Sequence, residues 1–318
     1  MQSEVVFECS SGLECECSQA TRYAKSALTL IHFQLKPRFE KVRRGLETPE
    51  QCWKTYNRLI QNYAEKRLTF SKDVLPALSS TAALLSPFLG NYFAGIWSFH
   101  LIHGLQWKSD WVRLDEGNEC HRHPDYVAPS FSWASRHGGV SWNLMEDWTD
   151  DSSEYDCAII HHIECKPRGS NTFGEVKCGT LTLSANKVPM KYVGQHEALW
   201  WKINLTGTGI NDCSFDLDAK EDLTLAKEKE IFCLEIMRAR KTRQIDYSTD
   251  GDSVDGDSAD DDSVARDSVN YDPIHYTVRA IVMVLSDINA GACQRIGLAN
   301  YTSSASFNDL NNARVTIV

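Results

Sequence analysis

From Trp111 onward, short runs of β-branched and aromatic residues are split by glycine, proline and asparagine. Runs of this kind are typical of β-strands. No helical pattern separates them at regular intervals, so the βαβ units of a parallel sheet are disfavoured. The sequence therefore predicts a mainly antiparallel sheet or sandwich over residues 109–318. Its candidate strands are Cys157–Cys165, Gly179–Ser184, Leu199–Leu205, Ile231–Arg238, Tyr276–Leu285 and Arg295–Leu298.

Residues 36–108 carry helical patterns instead. Thr48-Pro-Glu-Gln51 is a capping box with proline at the first helical position. In this motif the Thr48 hydroxyl accepts from the Gln51 amide, and the Gln51 side chain reaches back to the Thr48 amide. A helix is therefore predicted to begin at Thr48. Its apolar face carries Trp53, Tyr56, Ile60 and Tyr63.

Two more helices are predicted in this region. One begins near Ser71, tolerates Pro76 in or near its first turn and stops at Pro87. The other closes at Gly104 and is expected to present Phe93, Ile96, Trp97, His100 and Leu101 on one face. The predicted fold class is α+β, with an N-terminal helical layer followed by the β-rich domain.

An acidic, low-complexity segment at residues 246–268 interrupts the β-rich part. Nine Asp and one Arg between Asp246 and Asp267 supply most of the net charge of -10, and the rest of the chain is nearly neutral. Ordering roughly 20 residues costs on the order of 20–40 kcal/mol of backbone entropy, and the few apolar side chains return only a little of it. We expect a disordered loop between two strands. It is not expected to be a calcium loop, because no Glu follows at the twelfth position.

Charge and hydropathy exclude several classes of function. The chain lacks the basic stretches that track a phosphate backbone, so nucleic acid is not expected as a partner. It has no run of eighteen apolar residues and no secretory signal, so no membrane partner is expected. Eleven cysteines, an odd number, favour reduced thiols. We expect a cytoplasmic protein.

Two clusters could suggest a metal site. Cys120-His-Arg-His123 offers three ligands, but spacings of one and two residues rarely let three side chains converge on one tetrahedron, so a loop is expected. Cys9, Cys15 and Cys17 lack the paired knuckles of a zinc ribbon. Thr206-Gly-Thr-Gly209 is too short for a dinucleotide fingerprint. Neither a metal nor a cofactor is predicted.

The chain also offers no nucleophile elbow and no spacing that implies a catalytic triad, so no catalytic residue is assigned. His161 and His162 would point to opposite faces of a strand. His100 lies on the apolar stripe of its predicted helix, where a core or interface role is favoured. We therefore expect a protein that is not an enzyme. The alternative is an enzyme that uses His161 or His162 with Glu164.

Three tryptophans, Trp97, Trp107 and Trp133, each combine a large apolar ring with one indole donor. Such residues pack well where helices meet a sheet and the N–H finds a carbonyl. Truncating one of them should cost about 3–5 kcal/mol, so we expect these rings to be scaffold. Asp73 is expected in the first turn of its helix, where its charge meets the positive end of the dipole.

The order and spacing of these motifs resemble the region that follows the defining domain of fungal heterokaryon incompatibility (HET) proteins. Matches continue more weakly at Phe173-Gly174, Gly179-Thr-Leu181, Phe215-x-Leu217-Asp218 and Arg295-Ile-Gly297. The chain departs from the pattern with Ala64 for Ser, Lys66 for Arg and Phe131 for Trp. The family-motif positions, interpreted as structural, are Trp53, Tyr63, Leu68, Thr69, Asp73, Leu75, Pro76, Trp97, Trp107, Pro129, Ser130 and Trp133.

The resemblance implies a regulatory or recognition region of a protein that acts in fungal self/non-self recognition and programmed cell death. No effector residue carries over, because only Val6-Phe-Glu-Cys9 matches the end of the defining domain, and residues 1–35 are interpreted as its remnant and a connector. The implied partner is a protein, such as a full-length HET-type relative. A truncated gene model without independent function remains a further alternative.

Overall fold

A computed structural model describes most of the chain. The described residues are 6–9, 12–15, 35–66, 68–111, 120–142, 154–196, 199, 201–207, 210–240, 276–287, 291–303 and 312–318. The fold is α+β, as predicted, with helices first and a large, mainly antiparallel sheet after them. The acidic segment 246–268, predicted to be a disordered loop, lies outside the described residues, as do Cys17 and the side chains of Cys9 and Cys15.

The helical layer begins with α1 (Leu35–Arg43) and α2 (Pro49–Ala64). The predicted capping box is confirmed. The Gln51 amide donates to Thr48 Oγ1 at 3.2 Å, and the Thr48 amide donates to Gln51 Oε1 at 2.8 Å. These bonds satisfy amides that the first turn of a helix leaves free, so α2 starts where the sequence indicates.

The helix predicted from Ser71 begins later than expected. Two 3₁₀ turns, Ser71–Asp73 and Pro76–Leu78, precede α3 (Ser79–Leu89). Asp73 therefore lies in the first of these 3₁₀ turns and not in the first turn of α3. The prediction that Pro87 ends the helix is wrong, because Pro87 lies inside α3.

A hydroxyl group compensates for the amide that Pro87 lacks. In a regular helix the residue at position 87 would donate to the carbonyl of Ala83. Ser86 Oγ donates to that carbonyl instead, at 3.0 Å. The acceptor is thus satisfied, and the helix continues for two residues past the proline.

The helix predicted over Phe93 to Gly104 is replaced by a hairpin and a short turn of helix. Strands β3 (Tyr92–Phe93) and β4 (Ile96–Trp97) pair across Ala94 and Gly95, whose φ angles are 51° and 96°. Two successive positive φ angles are the signature of a type I′ hairpin turn. Only α4 (Leu101–Gly104) is helical here.

Short ladders extend the helical layer. In the first, β5 (Lys108–Ser109) pairs with β8 (Val140–Ser141). In the second, β6 (His121–Arg122) pairs with β7 (Arg136–His137). Near the N-terminus, β1 (Val6–Cys9) pairs with β2 (Gly12–Cys15). Because β6 forms a ladder, the prediction that Cys120 to His123 is a loop is corrected.

The described residues form a nine-stranded sheet in the β-rich part. The strands are β9 (Glu154–Asp156), β10 (Ile159–Pro167), β11 (Val176–Gln195), β12 (Lys202–Gly207), β13 (Ile210–Leu217), β14 (Ile231–Arg240), β15 (Tyr276–Asp287), β16 (Ala292–Ser303) and β17 (Asn312–Ile317). The six predicted strands are present as β10, β11, β12, β14, β15 and β16, of which β11, β14, β15 and β16 are longer than predicted, whereas β9, β13 and β17 were not predicted. A short helix, α5 (Asp222–Glu228), follows β13.

Six of these strands pair into a closed ring in the order β11, β12, β13, β16, β15, β14 and back to β11. Strand β11 is 20 residues long and also pairs with β10 and β17. The pair β16–β17 is parallel, and all the others are antiparallel. This long strand therefore joins the ring to the outer strands.

The ring separates two hydrophobic cores. Alternate residues of β14 face different cores, because Ile231 and Cys233 belong to one cluster and Phe232 and Leu234 to the other. The first cluster is built mainly from residues of the six ring strands, and it also contains Trp111, Cys120 and Ala226. The second also contains Trp97 and other residues of the helical layer. The helical layer therefore packs against the outside of the ring.

A buried ion pair joins the two layers, and we call it the Arg295 junction. Arg295 of β16 is fully buried and donates through Nε to Asp218 Oδ2 at 2.8 Å. Its Nη groups donate to the backbone carbonyls of Leu105, at 2.6 Å, and Trp107. Its guanidinium lies 3.6 Å from the centre of the Trp107 ring, and its amide donates to Ser130 Oγ. One residue thus connects the sheet, the helical layer and the segment at Ser130.

A second junction holds the β3–β4 turn. The carbonyl of Gly95 accepts from Tyr56 Oη and from Trp133 Nε1, both at 3.0 Å. Ser132 Oγ donates to the neighbouring carbonyl of Ala94. A Cβ at position 95 would collide with the indole of Trp133. The turn therefore fits against Trp133 only with glycine at this position.

Replacing Arg295 by leucine should destabilise the fold by about 3–5 kcal/mol, because Asp218 would remain buried without its partner. The matched control is Arg168→Leu, since Arg168 pairs with Glu175 at 3.4 Å while more than half exposed. Such a pair contributes about 0–1 kcal/mol. Urea unfolding should show a large shift for the first variant and a small one for the second. Equal shifts would contradict the role of the junction.

Replacing Gly95 by alanine should cost more stability than replacing Gly45. Both glycines have positive φ, so both variants carry backbone strain of about 1–2 kcal/mol. Only at Gly95 does the new Cβ also meet a ring, because nothing lies within 4 Å of a Cβ at Gly45. Thermal unfolding and tryptophan fluorescence of the two variants test this. A Gly45→Ala variant as unstable as Gly95→Ala would show that contact with Trp133 does not matter.

Candidate functional site

A cavity of about 520 Å³ opens where the end of α2, residues 66–74 and the β6–β7 ladder meet. We call it the cationic cavity, because the described residues that line it include Lys66, Arg122, Arg136 and three histidines and no Asp or Glu. Its lining residues are Tyr63, Ala64, Lys66, Leu68, Thr69, Ser71, Val74, His121, Arg122, His123, Pro124, Trp133, Arg136, His137 and Gly138.

The β6–β7 ladder places the basic residues on one wall. His121 pairs with His137 across the ladder, and Arg122 pairs with Arg136. The connection out of β7 passes through Gly138, whose φ is 113°. A Cβ at this position would lie 2.6 Å from the Cys120 sulfur. The tight approach of these two segments therefore depends on glycine.

Two of the basic side chains have carboxylate partners from the segment that begins α5. Arg122 donates to both oxygens of Asp222, at 3.2 and 2.9 Å. His121 Nδ1 lies 2.9 Å from Glu221, which also accepts from the Arg122 amide at 3.0 Å. Burial raises the pKa of Asp222 to about 7, and the charge of Arg122 opposes this rise. These contacts anchor β6 to the β-rich part of the molecule.

Arg136 is different, because its side chain is only 3% exposed and makes no ion pair in the described structure. Its Nη groups donate to the carbonyls of Gly138, at 3.3 Å, and Gly139, at 2.9 Å. It also contacts Cys120 Sγ at 3.4 Å, and burial raises the pKa of that thiol, which therefore stays neutral. The Nε of Arg136 is buried and has no hydrogen-bond partner within the described residues.

His123 has an unusual environment on the same wall. Its pKa is lowered to about 4, first by desolvation and then by the charges of His137, Arg136 and Arg122, although a backbone hydrogen bond with Arg136 opposes them. Its Nε2 is buried and, within the described residues, has no hydrogen-bond partner. The imidazole is therefore neutral at pH 7.

The facing wall is mostly apolar. Tyr63 donates through its hydroxyl to the carbonyl of Val74 at 2.9 Å, which ties the end of α2 to the segment after it. The Tyr63 ring packs edge-on against Trp133, with centroids 6.4 Å apart. Leu68 completes this side. The cavity can thus bind a ligand that has both a charged and an apolar part.

The predicted motif residues fall into three groups. Tyr63, Leu68, Thr69 and Trp133 line the cavity. Trp53, Leu75, Trp97 and Trp107 are buried in the core cluster of the helical layer. Asp73 and Pro76 lie in the 3₁₀ turns before α3, Pro129 lies against Gly179, and Ser130 donates to the carbonyl of Val318.

The predicted burial of the three tryptophans is confirmed, since Trp97, Trp107 and Trp133 are at most 3% exposed. The indole of Trp107 donates to the carbonyl of Phe131 at 2.8 Å, and that of Trp133 donates to Gly95. Trp97 departs from the expectation, because its Nε1 finds no acceptor among the described residues. Trp133 also departs, because it lines the cavity as well as being scaffold.

The histidines considered for catalysis lie elsewhere. A bulge in β10 between Ile160 and His162 overturns the prediction that His161 and His162 point to opposite faces. His161 Nε2 contacts Ser184 Oγ at 2.7 Å, and His162 lies opposite Thr182, two residues earlier on β11. Both are exposed on the same side of the sheet, as is Glu164. None of the three lines the cationic cavity.

His100 is also placed differently from the prediction. It precedes α4 with a φ of 53° and contacts Glu50, so it does not lie on the apolar face of a long helix. Its ring packs against Trp53 with centroids 5.3 Å apart. No group of three or more His, Cys, Asp or Glu side chains in the described ranges is placed to hold a metal ion.

Sequence analysis did not identify Lys66, Arg122, His123, Arg136 and His137 as a site. The sequence does carry a signal for this site. Two short basic segments flank the Pro129-to-Ser135 motif, namely Cys120-His-Arg-His123 before it and Arg136-His137 after it. Each was too short to predict as a strand. Only their pairing in the folded chain places the five residues around one cavity.

Comparisons with protein-family models, with curated proteins and with solved structures gave no match for this chain. Among the helices in the described residues, none has the length and apolar character needed to cross a membrane.

The depressed pKa of His123 predicts a pH-dependent difference between the wild type and His123→Gln. Between pH 6.5 and about 4, the unfolded chain binds a proton at this residue that the folded chain does not bind. The unfolding free energy contributed by His123 should therefore fall as the pH falls through this range. Urea unfolding of both proteins from pH 7 to 4.5 gives the difference, in which the other titrating groups largely cancel. A difference that is constant or grows toward low pH would contradict the placement of His123.

Proposed function

We propose that this chain is a non-catalytic recognition region of a HET-type incompatibility protein, and that it contacts a partner protein at the cationic cavity. One observation carries the proposal. Tyr63, Leu68 and Thr69 come from one sequence motif and Trp133 from another, yet all four line the same cavity. Motif residues that served only the core would have no reason to meet at an opening.

The composition of the cavity also supports recognition. Aromatic residues and arginine are enriched among the residues that dominate protein interfaces, because they combine apolar area with directed hydrogen bonds. Here the rings of Tyr63 and Trp133 line the cavity on the wall opposite Arg136. The remaining motif residues hold the two layers together, so the cavity walls are fixed before a partner arrives. Binding to a preformed site loses little conformational entropy.

Residues of the weaker motif matches also contact one another in the folded chain. Asp218 pairs with Arg295, and the ring of Phe215 lies where a Cβ on Gly297 would collide with it. Gly179 is similarly close to Pro129. These contacts give each matched residue a physical role in one architecture. They support the proposed relation to the region downstream of the HET domain, and with it a role in self/non-self recognition in the fungal cytoplasm that leads to cell death.

The alternative enzyme, which uses His161 or His162 with Glu164, has less support. These side chains are exposed on β10 and share no cavity wall with the aromatic motif residues. A catalytic pair is usually placed in a cleft that excludes water and shifts its pKa values. We therefore do not propose this activity.

The test is co-precipitation of the tagged chain with full-length HET-type proteins expressed beside it. The wild type should capture a partner, and Leu68→Ser should reduce capture at least tenfold, because Leu68 forms part of the apolar wall. The matched control is Leu46→Ser, since Leu46 is 67% exposed and lies outside the cavity. A loss of about 1.4 kcal/mol in binding corresponds to the tenfold change.

Two results would contradict the proposal. One is the absence of any HET-type partner for the wild type. The other is equal capture by Leu68→Ser and the wild type, after circular dichroism has shown that the variant is folded. In the second case a partner exists, but the cavity is not where it binds.

A further inference from the structure

Within the part of the chain that the structure describes, carboxylates do not match all the basic residues around the cationic cavity. Arg122 is paired with Asp222, and His121 is paired with Glu221. Among these described residues Arg136 contacts only carbonyl oxygens, a neutral thiol and the Trp107 ring, although it is almost completely buried. A buried cation without a counter-ion is costly. An anion in the cavity would offset that cost.

Two unpartnered nitrogen atoms mark where such an anion would bind. Arg136 Nε and His123 Nε2 are both buried and lack hydrogen-bond partners among the described residues. The two residues are adjacent, because the His123 side chain hydrogen-bonds with the backbone of Arg136. Arginine Nε always carries a proton and donates, whereas Nε2 of the neutral His123 ring accepts. An oxyanion that keeps one proton can accept from Arg136 and donate its O–H to His123, and charge-assisted hydrogen bonds such as the first are the strong ones.

The size and the other wall of the cavity indicate more than an inorganic ion. Its volume of about 520 Å³ lies in the range of small-molecule pockets, roughly 300–1,000 Å³. The wall facing Arg136 and His123 consists of Tyr63, Leu68, Val74 and Trp133. An apolar or aromatic group of the ligand would pack against it. The ligand therefore has a charged end and an apolar body.

The amount of positive charge distinguishes between anions. Besides Arg136, the cavity has Lys66, which lies exposed among the lining residues. A carboxylate carries one negative charge, whereas a phosphate monoester carries about 1.5 to 2 at pH 7 and offers three acceptor oxygens. The higher charge matches a site with these two cations better.

We infer that the cationic cavity binds a phosphate monoester carried on an apolar body, with the phosphate at Arg136 and His123 and the body against Tyr63 and Trp133. This inference rests on the proposed function, because it names the chemistry that the recognition site accepts. The monoester can be a free small molecule or a phosphorylated side chain of the partner protein.

Isothermal titration of the full chain with three probes tests the chemistry. Phenyl phosphate should bind, inorganic phosphate should bind at least tenfold more weakly, and phenol should show no binding at millimolar concentration. Phenyl phosphate that fails to bind, or that binds no better than phenol, would overturn the inference.

A pair of charge-reversal variants tests the location. Lys66→Glu should weaken phenyl phosphate binding at least tenfold, because Lys66 lines the cavity. Lys177→Glu, at an exposed position on β11, makes the same change in net charge and should weaken it less than twofold. Equal weakening would mean that phenyl phosphate binding depends only on the net charge of the protein, and it would overturn the proposed location of the site. His123→Gln should also weaken binding, and it leaves the hydrogen bonds of Arg136 to Gly138 and Gly139 in place.

A peptide that contains phosphotyrosine distinguishes the two sources of the monoester. Tighter binding of the peptide than of phenyl phosphate supports a phosphorylated partner, and weaker binding supports a free small molecule. The proposed function is tested separately by partner capture. If capture depends on Leu68 but phenyl phosphate does not bind, the phosphate inference fails and the recognition role stands. If phenyl phosphate binds and no partner is captured, the phosphate inference stands and the recognition role fails.

Discussion

The buried pair of Arg295 and Asp218 is the contact on which the rest of the structure depends. A fully buried guanidinium is tolerated only when its donors are satisfied. Asp218 and the carbonyls of Leu105 and Trp107 supply the acceptors. Because these acceptors belong to different layers, satisfying Arg295 requires the helical layer and the sheet to come together. Polar contacts, and not apolar burial alone, therefore fix how the two layers are oriented.

The same junction positions the cationic cavity. Arg122 donates to the carbonyl of Arg295 at 2.6 Å, so β6 is attached directly to β16. The Trp107 ring contacts the guanidinium of Arg295 and, with a distance of 5.0 Å to its centre, that of Arg136. Cation–π contacts favour a fixed position of each guanidinium over the ring. The basic wall of the cavity is thus held by residues whose first role is structural.

The sequence predicted those features that depend on neighbouring residues. The start of α2 was predicted because Thr48 and Gln51 form their bonds within four positions of each other. Strand β14 was predicted because a strand that packs against a core on each side carries apolar residues on both of its faces. The hairpin at Ala94 and Gly95 was missed, because its aromatic residues also fit a helical spacing. The bulge at His161 reversed the face of one side chain, and no local pattern marks it.

The cavity itself could not be predicted from the sequence. Its walls come from the end of α2 and from β6 and β7, segments about sixty residues apart that meet where the Tyr63 ring packs against Trp133. Lys66 and Arg136 look like ordinary surface charges when each is considered alone. Folding brings them to the same cavity and buries Arg136. The proposed anion site depends on that burial.

The most direct measurement is the pKa of His123 by NMR titration of its imidazole, with and without saturating phenyl phosphate. The signal can be assigned by its loss in His123→Gln. In the free protein the pKa should be about 4, and it should rise by at least one unit when an anion accepts from the protonated ring. An unchanged pKa in the presence of bound phenyl phosphate would contradict a site at Arg136 and His123.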